Sequence, residues 1–221
     1  MRPSRRSFSF GLAGASLLPF VGPAWSVSEF AVGEARVDVV SDGKLILPGD
    51  FLFAGMPEPE LREILSRFQV DFDNPEPDCN LTVYRDGERT IVFDVGAGPN
   101  FMPSAGKVGE ALDVLGLDPS QVTHVVFTHA HPDHLWGLLD DFDEPVFPEA
   151  EYKIAASEWD YWTDPKTVET IGDARQSFAA GAARLLGAIE DNISFFKPDD
   201  EVLPGVLARA THGHTPGHTS F

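Results

Sequence analysis

Apolar and polar positions along this chain fall into short alternating runs, separated by Gly-, Pro- and Asp-rich breaks and by a few segments of helical spacing. Residues 36–40 and 45–47 alternate around Ser41-Asp42-Gly43-Lys44, where Asp-Gly predicts the turn of a β-hairpin. Leu61, Ile64, Leu65 and Phe68 share one helical face and predict an amphipathic helix over residues 57–67. Pro75, Pro77 and a run of acids make residues 71–78 a loop. A second hairpin is predicted from residues 80–84 and 90–94 around Asp86-Gly87, and Gly96-Ala97-Gly98-Pro99 ends it. Beyond it the pattern gives a helix over 108–115, a buried β-branched strand over 123–127 and a strand over 151–155. A helix from about Ser157, a longer one over 173–189 and strands over 193–196 and 206–210 complete the series. That order predicts a mixed α/β (α+β) domain in which hairpins outnumber parallel crossovers.

The first 26 residues do not fit this pattern. Arg2, Arg5 and Arg6 precede an uncharged stretch rich in Gly, Ala, Leu and Phe, the layout of an export signal. Ser4-Arg5-Arg6-Ser7-Phe8 resembles the twin-arginine type, and Ala24-Trp25-Ser26 places small residues for cleavage near Ser26. The expectation is a leader over residues 1–26, a domain over residues 27–221 and a periplasmic protein of bacterial origin. An uncleaved anchor is the other reading of the uncharged stretch, weakened by its Gly and Pro residues.

Charge narrows the partners. The sequence carries a formal net charge of −19 at pH 7, and the basic residues of the leader are among its few cations. Such a balance argues against nucleic acid and against an anionic membrane surface, and it leaves a small-molecule substrate as the expected partner. The oligomeric state is not legible. Cys79 is the single cysteine, so no internal disulfide can form, and it is expected to be an ordinary part-buried thiol.

All seven histidines lie between His124 and His218. Thr128-His129-Ala130-His131-Pro132-Asp133-His134 follows directly on the predicted strand at 123–127. His129 and His131 share a side while the chain is extended, and Asp133 and His134 follow where it turns into a helix. Imidazoles with a carboxylate suit a catalytic divalent metal with an open position for water. A second cluster, Thr211-His212-Gly213-His214-Thr215-Pro216-Gly217-His218, also follows an apolar strand and could supply another corner of the same site.

His129-x-His131-x-Asp133-His134, followed by a Gly-His-Thr loop, resembles the metallo-β-lactamase superfamily of metal-dependent hydrolases. Asn80 leading a strand, and Ile91 to Gly98 with its Asp-x-Gly ending, are similar to that family as well. Within it, the loop at 211–219 resembles methyl parathion hydrolase-like proteins nearly letter for letter, with His212 standing where many relatives carry Pro. The resemblance runs from about Val37 to Phe221 and implies an αββα sandwich.

It also implies that His129, His131 and His214 hold one divalent ion, while Asp133 and His134 help hold a second, both expected to be zinc. Asp133 is the expected catalytic residue, orienting the attacking water or moving its proton. Asp94 is expected behind a ligating histidine, and His212 and His218 behind the site or lining its pocket. Trp136 is the aromatic expected nearest the metals, and His124 is expected to be structural. The implied activity is hydrolysis of an ester, lactone or phosphotriester by water activated at the metals. The family pattern includes a bridging Asp and a last His beyond the Gly-His-Thr loop. The C-terminal part of the domain is therefore expected to be missing from this sequence, leaving the strand at 219–221 without its partner. An iron-dependent redox enzyme of the same fold and a non-catalytic metal-binding module are the alternative readings.

Overall fold

A computed structural model describes residues 28–221, so the predicted leader over residues 1–26 lies outside the described residues. Strands β1 (Ser28–Val32), β2 (Ala35–Lys44), β3 (Asp78–Arg85) and β4 (Thr90–Phe93) pair antiparallel in sequence order. From β4 the sheet continues in parallel through β5 (His124–Val126), β6 (Glu151–Ala155) and β7 (Ile193–Phe196), giving seven strands. Helices α1 (Gly49–Leu52) and α2 (Glu58–Arg67) join β2 to β3, and α3 (Val108–Leu115) crosses from β4 to β5. The single turn α4 (Pro132–Leu135) lies between β5 and β6. Helices α5 (Ala156–Thr163), α6 (Pro165–Thr170) and α7 (Gln176–Ala188) lie between β6 and β7. Two small ladders follow: β8 (Glu201–Leu203) with β9 (Val206–Leu207), and β10 (Arg209–Ala210) with β11 (Thr219–Ser220).

Alternation along the strands builds three layers. Val92, Val125, Tyr152 and Ile154 face the helices, where they meet Ala111 and Leu112 of α3 and Ala179, Ala182, Leu185 and Leu186 of α7. Ile91, Val126 and Ala155 face the other way and pack on Leu203, Val206 and Ala208 of the ladder region. Over β2–β4 that second face forms an apolar groove of about 620 Å³ lined by Val37, Tyr84, Phe93 and Phe221, among others.

Several expectations need correction. The excess of hairpins over crossovers holds for the described residues as a whole, with five antiparallel and three parallel pairings, but inside the large sheet the two kinds are equal at three each. The segment at 206–210 is not one strand, because Ala208 bonds back through its N–H to Asp200 O (2.9 Å) and its carbonyl to Asp199 N (3.0 Å). The strand at 219–220 has a partner, with Ala210 opposite Thr219 and Arg209 opposite Ser220. The helix expected from 173 opens as a 3-10 turn over Asp173–Arg175 before α7 begins. Cys79 is buried, and burial pushes its thiol up to about 12, in keeping with an inert side chain.

The largest correction concerns Asp42-Gly43, which is a β-bulge inside β2 and not a hairpin turn. Ser41 pairs with Asn80 and Gly43 with Cys79, leaving Asp42 as the extra residue. Gly43 adopts φ +101°, and a Cβ there would lie 2.2 Å from Ser104 O. The bulge turns Asp42 into the interior, where its carboxylate accepts from the N–H groups of Ala97 (2.8 Å), Lys107 (2.5 Å) and Val108 (2.9 Å). Burial raises its carboxyl above the usual range against the pull of those donors. One side chain thereby ties the loop after β4 to the start of α3.

Asp42→Ala leaves the buried N–H groups of Ala97 and Val108 without their acceptor, while Lys107 N–H keeps the Asp42 carbonyl. The expected loss is about 2 kcal/mol or more, at roughly 1–3 kcal/mol per unpaired buried donor. It is read as a lower urea midpoint with an unchanged slope. A change within about 0.5 kcal/mol, the range of an ordinary surface substitution, would show that this carboxylate does not fix the loop.

Candidate metal centre

Parallel strands that start in register also finish together, and their carboxyl ends are where loops can converge on a ligand. Asp94 follows the end of β4, residues 128–134 leave β5, and Glu158 sits in the first turn of α5 just after β6. The loop between β10 and β11 carries His212, His214 and His218 to the same place, anchored by Thr219 N–H donating to Thr128 O (3.0 Å).

His129, His131 and His214 form the centre, each with a ring nitrogen within 4.8 Å of those of the other two. His131 Nδ1 and His214 Nε2 lie 2.9 Å apart. His129 is 2 % exposed, and its Nε2 is buried with no hydrogen-bond partner. Its tautomer follows from the chain of bonds behind it. Thr128 Oγ1 donates to Asp94 Oδ2 (2.7 Å), so at 2.9 Å it accepts from His129 Nδ1–H, which leaves the lone pair on Nε2 facing the cluster. Burial, reinforced by the neighbouring imidazoles, holds His129 and His214 below the ordinary histidine range and His131 at about 4. All three are neutral at pH 7, the state in which imidazole donates to a metal. An orphaned buried nitrogen beside two further ring nitrogens 2.9 Å apart fits a divalent cation.

His134 and Asp133 stand beside this trio as an ion pair. The His134 ring centroid is 4.0 Å from that of His129, with Nδ1 on Asp94 Oδ2 (2.7 Å) and Nε2 on Asp133 Oδ2 (3.2 Å). Burial would lower His134, but the Asp94 and Asp133 carboxylates outweigh it and raise the ring to about 10. Burial likewise works against Asp133, and His134 nonetheless holds it below the usual carboxylate range. Asp94 stands behind the cluster at φ +65°, also accepting from Thr128 N–H (2.7 Å).

The remaining candidates fall in different places. His218 packs its ring 4.8 Å from His129 and bonds Thr211 Oγ1 through Nδ1 (2.8 Å). His212 is exposed, and among the described residues no hydrogen bond joins it to the cluster. Trp136 departs from expectation. Two residues past His134 is about 200° around a helix, and its ring packs on Phe101 and Phe178. It lines a separate cavity of about 390 Å³ in which no histidine takes part. His124 bonds Thr123 Oγ1 (2.8 Å) within its strand, away from the centre.

Sequence reasoning missed Glu158. It is fully buried and accepts from Ala130 N–H (3.0 Å) and Trp162 Nε1–H (2.6 Å) on one oxygen. Its other oxygen accepts from Thr215 Oγ1–H (2.7 Å) and Gly217 N–H (2.8 Å). The only signal for it is an acid four residues before a buried Trp162, which lies 5.5 Å from the His131 ring.

Zinc added to the metal-free protein is expected to raise the thermal midpoint. At a free concentration a hundredfold above Kd the gain is about 2.7 kcal/mol, or roughly 5–10 °C for a chain of this size. His131→Ala and His214→Ala should each remove most of that rise. Equal shifts in all three proteins would place the ion elsewhere.

Known proteins resemble this chain in sequence and in shape. N-acyl homoserine lactonase AttM of Agrobacterium fabrum is 30 % identical over 115 residues, covering 51 % of this chain and 40 % of that protein. An N-acyl homoserine lactonase of Bacillus sp is 26 % identical over 196 residues, covering 86 % of this chain and 66 % of that one. The chain thus spans less than two thirds of the length of these two relatives. The solved structure of hydrolase AbOPH of the beta lactamase superfamily superposes with a TM-score of 0.75 at 26 % identity, over 87 % of this chain and 68 % of that chain. AidC, a dizinc quorum-quenching lactonase in complex with a product, shares the fold with a TM-score of 0.77 at 23 % identity, again over 87 % and 68 %. The family model of the metallo-beta-lactamase superfamily matches residues 74–221, more than half of the sequence, and the chain belongs to that superfamily.

Proposed function

We propose that this protein is a metal-dependent hydrolase of small neutral esters, with lactones as its preferred substrates. The observation that carries the reading is the cluster of three neutral imidazoles, one of them with an orphaned buried nitrogen aimed at the other two. Its support for lactones comes from homoserine lactonases among its relatives, such as those of Agrobacterium fabrum and Bacillus sp. The loop at 211–219, with its likeness to methyl parathion hydrolase-like proteins, keeps phosphotriesters as the second substrate class. With the leader over residues 1–26 acting as its sequence implies, the reaction takes place in the periplasm.

In this reading His129 Nε2, His131 and His214 would hold one divalent ion, and Asp133, with His134 once that ring has given up a proton, would help to hold a second, both zinc. Such ions lower the pKa of bound water and polarise the oxygen of the scissile group. Thr128 and Asp94 keep the His129 ring in the tautomer that ligates. Asp133, held ionised at the edge of the cluster, accepts the proton of the attacking water and orients its oxygen. The strongly acidic surface disfavours polyanionic substrates and leaves neutral ones.

The test is hydrolysis by the zinc-loaded protein of an N-acyl homoserine lactone, an aryl ester and a phosphotriester, each assayed before and after chelation. Lactone opening that chelation abolishes and zinc restores is expected. Asp133→Asn is expected to lower kcat by about a hundredfold or more with a smaller change in KM, the range of a lost general base. Tight zinc binding without turnover of any of the three would overturn the reading in favour of a binding module. Iron as the native metal, with oxidation of thiols, would overturn it in favour of redox chemistry.

A further inference from the structure

We propose that Glu158 is the positioning residue that holds the two halves of the metal centre in register. The inference rests on the reading of His129, His131 and His214 as metal ligands. His131 and His214 are 83 residues apart in sequence and arrive on separate loops, one from β5 and one from β10. Their spacing is set by whatever links those loops directly.

Beside the backbone bond from Thr219 N–H to Thr128 O, Glu158 provides that link, with one oxygen for each side. Oε1 takes the N–H of Ala130, the residue between His129 and His131. Oε2 takes the hydroxyl of Thr215, next to His214, and the N–H of Gly217, next to His218. Trp162 Nε1–H donates to Oε1 as well and holds the side chain in place. All four partners are donors, so only an acceptor-only group satisfies them, which among side chains means a carboxylate. The second loop also rests directly on α5. A Cβ at Gly217 would lie 2.3 Å from Glu158 N, so glycine is what allows the approach. Both Glu158 oxygens are occupied by these donors, so it acts through the groups beside the ligands.

Glu158→Gln sets an NH2 group against two donors, and one of the two loops must lose its anchor. Metal-free full-length protein is titrated with zinc against a chelating dye, and with cobalt(II) to record its visible absorption. Glu158→Gln is expected to weaken zinc binding by about 10- to 100-fold, the usual effect of losing a group that orients ligands. Its cobalt spectrum should change in band position and intensity. Thr215→Val removes one of the four bonds and should shift both readouts in the same direction by less. Leu186→Ala, a buried change in α7 at a side chain that bonds none of the histidine loops, lowers stability and should leave affinity and spectrum as in the wild type. Wild-type zinc affinity with a wild-type cobalt spectrum in Glu158→Gln would overturn the proposal, as would equal weakening by Leu186→Ala. If Glu158→Gln does not fold, Thr215→Val decides, and wild-type values there overturn the proposal. Undiminished zinc binding in His131→Ala and His214→Ala would instead overturn the reading of the site on which it rests.

Discussion

The parallel register of β4, β5 and β6 is the constraint on which the site depends. Phe93 lies opposite Val126, and Val126 opposite Lys153, so the three strands end side by side. Within a few residues of those ends stand Asp94, the run from Thr128 to His134, and Glu158. Had β5 run antiparallel, its histidine loop would leave from the opposite edge, and no rearrangement of side chains could bring it to Asp94 or Glu158. The antiparallel strands β1–β3 contribute extent and cover to the sheet, while the convergence of chemistry is confined to its parallel half.

Onto that frame the chain adds buried carboxylates as fasteners. Asp42, Asp94 and Glu158 are each 5 % exposed or less, and apart from Trp162 on Glu158 the side-chain bonds they accept come from groups distant in sequence. Taking a charge out of water is costly, and it is offset here by several short charge-assisted hydrogen bonds at once. The arrangement is unforgiving, because loss of the acceptor strands every donor it served. That is why a carboxylate makes a firmer fastener for loops than apolar packing does, which can slide and refill. Asp42 fixes the loop after β4, Asp94 the tautomer of His129, and Glu158 the gap between the two histidine loops.

These differences explain what could be read from sequence. The period-two strands and the spacing from His129 to His134 are local patterns, and both were legible. Asp42-Gly43 was not, since the same dipeptide suits a hairpin turn and a bulge. Its meaning is decided by partners at residues 97, 107 and 108, more than fifty positions away. Glu158 was hidden for the same reason, its partners lying 28 and 57 residues off in either direction. The split of residues 206–210 into two strands likewise turns on bonds from Ala208 to Asp199 and Asp200, which no alternation pattern records. Trp136 is a different case. The turn of chain after His134 dictates that it points away, and only the assumption that a nearby aromatic must line the site concealed it.

The charge arrangement gives the centre a bias of its own. Three neutral imidazoles stand next to a triad in which one charged His134 lies between two carboxylates, so the local balance is one negative charge before Glu158 is counted. A dication entering there relieves the unpartnered His129 nitrogen and meets a field of the right sign, without first displacing a proton from any of the three imidazoles. The acidic surface acts in the same direction at long range, drawing cations inward and repelling anions. A site so biased favours a cation over an anion.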